Sequence, residues 1–122
     1  MFFPVSGWFA AFVITLAIEI PIVIVLLRRT EPNLVRLGIL IVFANLATHP
    51  VVWFVITQLL LVGTLAYTLL AETWAIAAEA VFYRVTFRDL SARRALVIAV
   101  AANATSWLVG RLIGGVWPEL FR

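Results

Sequence analysis

The chain has 122 residues and a mass of 13.6 kDa, which suits one compact unit and is too small for two ordinary domains. Apolar residues make up 65% of it and charged residues 12%, against roughly 45–50% and roughly 25% in soluble proteins. So few charges cannot cover so much apolar surface in water, and the mean hydropathy of +1.13 indicates a membrane protein. This composition excludes a soluble enzyme domain and a disordered chain. The absence of cysteine excludes a disulfide scaffold.

The net charge of +3 is the balance of nine basic residues, all of them arginine, and six acidic residues. Most of these arginines stand in two short clusters between apolar stretches. Arginine in the short turns of a membrane protein sets its topology, because such turns stay on the cytoplasmic side. We therefore attribute the charge to topology and to contact with membrane lipid, and we expect no nucleic-acid partner.

The apolar stretches, taken in chain order, predict four membrane-spanning helices. The first is retained rather than cleaved, because no basic residue precedes it. The apolar run over 34–87 holds 54 residues. As one helix it would measure about 80 Å, against a hydrocarbon core of about 30 Å, so it must cross twice. Gln58 and Gly63 interrupt this run, and we place the turn between the two crossings there.

The prediction is an all-α, polytopic membrane protein whose four transmembrane helices form an antiparallel bundle. Pro21 is expected to kink the first helix, Ser91 to cap the fourth, and Pro118 to end it. The predicted spans cover about residues 4–28, 34–57, 64–87 and 91–115 of a single transmembrane domain, 1–122.

Arginine placement predicts the orientation. Seven of the nine arginines flank the first or the third turn, whereas the middle turn has none. By the positive-inside rule, those two turns face the cytoplasm and both termini lie outside. Trp8, Trp53 and Trp117 would then lie near the outer surface, as an aromatic belt does. We therefore expect a multi-pass protein of the cell (inner) membrane.

The two halves of the chain are alike in outline. Each is a helical hairpin whose turn carries arginine. That similarity is general among small polytopic proteins, so from the sequence we predict no internal repeat.

Several polar residues stand within the predicted membrane spans, where apolar residues are expected. Each costs roughly 2.5–3.5 kcal/mol if it faces lipid. Because every predicted span contributes at least one, we expect them to share a polar interior enclosed by Leu, Val, Ile and Phe. They are Glu19, Asn45, His49, Glu72, Glu79 and Asn103, followed toward the outer end by Ser106 and Arg111.

Helical spacing places several of these residues on common faces. Asn45 and His49 are four apart and share one face of the second helix. Glu72 and Glu79 are seven apart and align within roughly 20°. Tyr83 continues that stripe by one turn toward the cytoplasmic end. The stripes are consistent with one shared interior.

Titratable groups at several depths predict proton-coupled or cation-handling transport. Burial penalises charge, so a buried carboxyl group readily takes up a proton. We expect an oligomer, because four short helices leave little room for a complete pathway. Glu72 and Glu79 would carry the charge while His49 relays or ligates. The predicted proton- or cation-binding residues are Glu19, His49, Glu72 and Glu79, and the supporting polar residues are Asn45, Tyr83, Asn103 and Ser106.

His49, Glu72 and Glu79 also form a candidate ligand set for a divalent metal, since imidazole with carboxylate suits zinc, iron or manganese. A haem or chlorin on His49 is less favoured, because Asn45 stands four residues earlier, where light-harvesting helices usually place alanine. The sequence leaves the cofactor open. It contains no His-Glu-x-x-His motif, Gly-rich phosphate loop or nucleophile motif, so we do not expect an enzyme.

Two further interpretations stay open. The polar residues can serve as interhelical hydrogen-bonding groups, each contributing about 0.6 kcal/mol. The chain would then be a non-catalytic accessory or assembly subunit of a larger membrane complex, which its short loops also suit. Pro50 leaves the carbonyl near Leu46 without a donor, so His49-Pro50 predicts either a simple kink or a broken helix with an ion site.

Overall fold

The computed structural model describes residues 5–122, and within that range the chain is all-helical and contains no strand. Four helices are long and apolar enough to cross a membrane, which confirms that part of the prediction. The predicted start of the first span at residue 4 lies outside the described residues. The helices are α1 (Val5–Leu27), α2 (Leu34–Leu59), α3 (Leu65–Thr86) and α4 (Ala92–Val116), and a 3₁₀ turn, Pro118–Phe121, follows α4.

Side-chain caps begin three of the helices. Asn33, Thr64 and Ser91 each accept a hydrogen bond from the backbone N–H three residues further on, at 3.0, 3.2 and 3.2 Å respectively. Each cap satisfies one of the free N–H groups in a first helical turn. The predicted cap at Ser91 is confirmed, and Pro118 stands just after the end of α4.

The helix α2 widens after its internal proline and does not break there. It is α-helical over Leu34–Val51, continues as a π-helix over Val52–Ile56 and closes with one α-helical turn, Thr57–Leu59. Pro50 has no N–H to donate, and a wider turn accommodates the missing bond. The helix α1 likewise continues through Pro21. The helix is therefore continuous at His49-Pro50, so the alternative of a broken helix is wrong, and the backbone adjusts to the proline by a local widening.

The four helices form a ring in which each packs mainly against two others. The helices α1 and α3 do not share a main contact, and each packs against both α2 and α4. Buried apolar side chains fill the half of the bundle next to the two arginine-containing turns. We call this set the apolar plug: Val23, Leu27, Leu37, Ile41, Ala44, Tyr83, Phe87, Leu90, Ala95, Ile98 and Ala102.

The C-terminal turn folds back onto the start of α1. The Ser6 hydroxyl donates to the Arg122 carbonyl at 3.1 Å. A Cβ atom at Gly7 would lie only 2.7 Å from the carbonyl oxygen of Phe121. The Phe121 ring would be 3.4 Å from a Cβ atom at Gly114. Gly7 is therefore required by the close approach of the two backbones.

We expect Gly7→Ala to displace the C-terminal turn, because the clash is with backbone that cannot rotate away. The free energy of unfolding should fall by about 1–3 kcal/mol, as in other overpacked sites. Thermal unfolding in detergent micelles measures the change.

Gly38→Ala is the matched control, since nothing lies within 4 Å of a Cβ atom at that position. Gly38 is in the interior of α2, where alanine favours a helix by up to about 1 kcal/mol. The two substitutions should therefore shift the unfolding midpoint in opposite directions. A Gly7→Ala protein as stable as the Gly38→Ala protein would contradict the packing described above.

Candidate functional site

Two buried glutamates lie at the centre of the ring. Glu19 on α1 and Glu79 on α3 are 0% and 1% exposed. The carboxyl group of Glu19 accepts hydrogen bonds from Asn45 Nδ2 and Ser106 Oγ, both at 2.8 Å, one at each oxygen. Its donors therefore come from α2 and α4, the two helices that flank α1.

Glu79 is bound in the same way. Thr48 Oγ1 donates to one carboxyl oxygen at 3.2 Å, and Asn103 Nδ2 donates to the other at 2.6 Å. Thr48 is on α2 and Asn103 is on α4. Each glutamate is thus bonded to one amide and one hydroxyl group, supplied by the same two helices.

This pattern is duplicated between the two halves of the chain. Asn45 and Asn103 each bind the glutamate of their own hairpin and also donate to the carbonyl four residues earlier. Three residues after each asparagine, Thr48 and Ser106 bind the glutamate of the other hairpin. Each of these four hydrogen bonds to a glutamate therefore has an equivalent bond when the two hairpins are exchanged.

The duplication corrects the prediction that the chain has no internal repeat. The segments 44–48 and 102–106 both read Ala-Asn followed by two residues and a hydroxyl residue. The helix caps Asn33 and Ser91 stand at the same separation of 58 positions as the asparagines, whereas the glutamates are 60 apart. The segment from the glutamate to the helix cap is two residues shorter in the second half, so comparison at one fixed period does not reveal the repeat.

A cavity of about 410 Å³ lies beside the glutamates, on the side away from the apolar plug. It extends from the exposed Val62–Gly63 turn to Glu79, and the amide and hydroxyl donors of the site also line it. Its volume is within the range of small-molecule sites, about 300–1,000 Å³. Glu79 is one of the residues that line the cavity, whereas Glu19 is not.

His49 lies apart from the two buried glutamates. Its ring stacks on Trp53 with centroids 6.3 Å apart and meets the Phe12 ring edge-on at 5.5 Å. Its Nε2 is 3.5 Å from Thr15 Oγ1, and Nδ1 is buried without a partner among residues 5–122. Although His49 shares a face with Asn45, the imidazole packs among aromatic side chains and forms no bond to a carboxylate in the described structure.

Glu72 lines the cavity two helical turns from Glu79, about 10 Å along the helix axis. It makes no hydrogen bond or ion pair with any other residue that the structure describes. Arg111 also lines the cavity, and its guanidinium lies 5.9 Å from the Trp107 ring centroid. Glu72 is thus an unpaired carboxyl group on the cavity wall, separate from the buried pair.

The predicted metal ligands do not come together. Over the described part of the chain, no group of three or more His, Asp or Glu residues is placed to hold a metal ion. Thr48 and Asn103 occupy both oxygens of Glu79, while His49 and Glu72 lie elsewhere on the cavity wall. The geometry therefore does not support a metal site at His49, Glu72 and Glu79.

Of the four supporting residues predicted from the sequence, Asn45, Asn103 and Ser106 bind the glutamates, whereas Tyr83 does not. Sequence reasoning missed Thr48, because threonine is common in membrane helices and costs little there. Its position three residues after Asn45, matching Ser106 after Asn103, is the signal that could have identified it.

Comparison with family models, with curated proteins and with solved structures finds no match for this chain. Its function is therefore inferred from its own side chains and their geometry.

We expect Thr48→Val to destabilise the protein by about 1–3 kcal/mol, because it leaves one oxygen of Glu79 buried and unpaired. By the symmetry of the site, Ser106→Ala should lower the free energy of unfolding by about the same amount, because it leaves one oxygen of Glu19 unpaired. Unfolding of each variant in mixed micelles by titration with a denaturing detergent measures the loss.

Thr105→Val is the matched control on α4. The Thr105 hydroxyl is exposed and donates only to the Ala101 carbonyl, at 2.7 Å. The substitution should therefore change the free energy of unfolding by less than about 0.5 kcal/mol. Equal losses in Thr48→Val and Thr105→Val would show that the bond to Glu79 does not matter for stability.

Proposed function

We propose that this chain is a proton-coupled transporter in which Glu19 and Glu79 bind the proton. The observation that carries the proposal is the pair of buried carboxyl groups whose bonding partners, among the residues described, are all uncharged. The described ion pair is far from them, between Arg36 and Glu31 at 2.7 Å. An uncompensated buried charge costs several kcal/mol, and a bound proton removes that cost.

The donors of the site suit both protonation states. Each glutamate has one hydroxyl partner, Ser106 for Glu19 and Thr48 for Glu79. A hydroxyl group can donate to a carboxylate and, after rotation about its C–O bond, accept from a carboxylic acid. A proton can therefore bind or leave without an unpaired polar atom remaining. This property supports reversible proton binding over a purely structural role.

The surroundings of the pair support transport over storage of a proton. The cavity leads to Glu79 from one end of the bundle, and the apolar plug separates both glutamates from the other end. Access from one side at a time is what a coupled transporter needs. Since Glu79 lines the cavity, a solute or cation held there would share this carboxyl group with the proton.

We further propose that the four helices cross the cell (inner) membrane as an antiparallel bundle, with the two arginine-containing turns in the cytoplasm. The cavity would then open on the outside, where both termini lie. A homo-oligomer would enclose the pathway more fully than one ring of four helices.

Single cysteines test this orientation, because the natural chain contains none. We expect a membrane-impermeant maleimide to label Glu119→Cys on intact cells and to label Asp89→Cys only after the membrane is opened. Both positions are exposed in the structure. The reverse pattern would place the cavity mouth in the cytoplasm.

Proton uptake into proteoliposomes tests the function. With a potassium diffusion potential as the driving force and a pH-sensitive dye inside, Glu79→Gln and Glu19→Gln should each slow uptake by about 10²-fold or more, because an amide cannot carry the proton. Gln keeps the size and polarity of Glu, so the fold should persist. Circular dichroism and elution volume in detergent check this.

Glu119→Gln is the matched control, since Glu119 lies in the C-terminal turn and outside the site. Its rate should equal that of the natural protein. If the natural protein moves no protons, or if Glu79→Gln moves them as fast, the proposal fails. If Glu79→Gln instead only releases the chain from a larger membrane complex, the accessory-subunit interpretation is the correct one.

A further inference from the structure

Tyr83 carries a buried hydroxyl group that the packing does not satisfy. The residue is 0% exposed, and its Oη atom has no hydrogen-bond partner within the described range. Burying an unpaired hydroxyl is destabilising, because the group loses its hydrogen bonds to water and gains none in return. Buried polar atoms are almost always bonded, so an exception of this kind points to a role other than packing.

The internal repeat shows that the fold does not need this hydroxyl. Tyr83 stands four residues after Glu79, and Val23 stands four residues after Glu19 in the other half. Val23 is also 0% exposed and belongs to the same apolar plug. The symmetric position is thus filled by a purely apolar side chain. Packing at this level of the bundle therefore requires an apolar side chain, and it does not require the oxygen of Tyr83.

Tyr83 belongs to the apolar plug, on the side of the glutamates away from the cavity. Tyr83 is one turn from Glu79 on the same face of α3, about 6 Å nearer the turn that carries Arg88. Of the side chains that form the apolar plug, Tyr83 alone has a polar atom. It does not line the cavity. Tyr83 therefore belongs to the part of the bundle that the cavity does not reach and that a proton moving from Glu79 to the arginine-rich end must cross.

We infer that the Tyr83 hydroxyl relays protons between Glu79 and water at the arginine-rich end. This inference rests on the function proposed above. A phenol oxygen accepts one hydrogen bond while its O–H donates another. Glu79 and Tyr83 share no hydrogen bond in the described structure. The proton on Glu79 therefore passes to a water molecule that enters between them, and that water gives a proton to the Tyr83 oxygen as the phenol proton leaves to water at the arginine-rich end. The O–H bond to Glu79 breaks, a new one forms on Tyr83, and rotation of the hydroxyl resets the relay.

Tyr83→Phe tests the relay, because it removes one oxygen atom that has no partner and leaves the ring in place. Proton uptake into proteoliposomes should fall by about 10²-fold, the usual contribution of a positioned proton-transfer group. The thermal unfolding midpoint should stay the same or rise, because an unsatisfied group has been removed. A residue that matters only for structure would not give this combination.

Phe82→Leu is the control for general disturbance of α3. Its ring lies 5.9 Å from that of Tyr83, it carries no oxygen, and it should leave proton uptake unchanged. The relay is overturned if Tyr83→Phe transports protons at the natural rate while Glu79→Gln does not, and the proposed function then stands. It is also overturned if Tyr83→Phe lowers the unfolding midpoint together with uptake. If the natural protein moves no protons, both proposals fail.

Discussion

Each buried glutamate is held by donors from both hairpins, and this crossed bonding holds the centre of the bundle together. Asn45 and Asn103 bind within their own hairpin, while Thr48 and Ser106 bind across to the other. Hydrophobic attraction does not draw apolar helices together in lipid, so packing and interhelical hydrogen bonds carry the association. The crossed bonds fix the rotation and the height of all four helices at one level. The cavity and the plug are arranged around that level.

The sequence predicted the number of helices because hydropathy and length leave few alternatives once the solvent is lipid. It also identified most of the polar centre, since polar groups at membrane depth must avoid lipid, and Glu19, Glu79 and both asparagines do lie inside. It did not identify their partners. Hydrogen bonds between helices depend on relative rotation and height, which periodicity within a single helix does not contain.

Neither His49 nor Glu72 lies beside the two buried glutamates, and each has a specific physical reason. His49 shares a helical face with Asn45 only approximately, since four residues advance a helix by about 400°, or 40° beyond a full turn. That rotation turns the imidazole toward Phe12 and Trp53. Glu72 does share the face of Glu79, but it lies two turns higher on the cavity wall, where it makes no hydrogen bond with any residue that the structure describes. Shared faces therefore bring polar side chains together only when their heights also match.

Several residues that line the cavity depart from the repeat. His49, Glu72 and Arg111 all line it, and the equivalent positions in the other half hold Trp107, Phe12 and Trp53. Pro50 corresponds to Leu108, so only α2 carries the π-helical stretch that widens its backbone, and Val52 and Trp53 within that stretch line the cavity wall. The shared residues build a symmetric pair of hydrogen-bonded glutamates, and the unshared ones line the cavity beside that pair. A strictly symmetric sequence would present equal surroundings to both glutamates, whereas in this chain Glu79 lines the cavity and Glu19 does not.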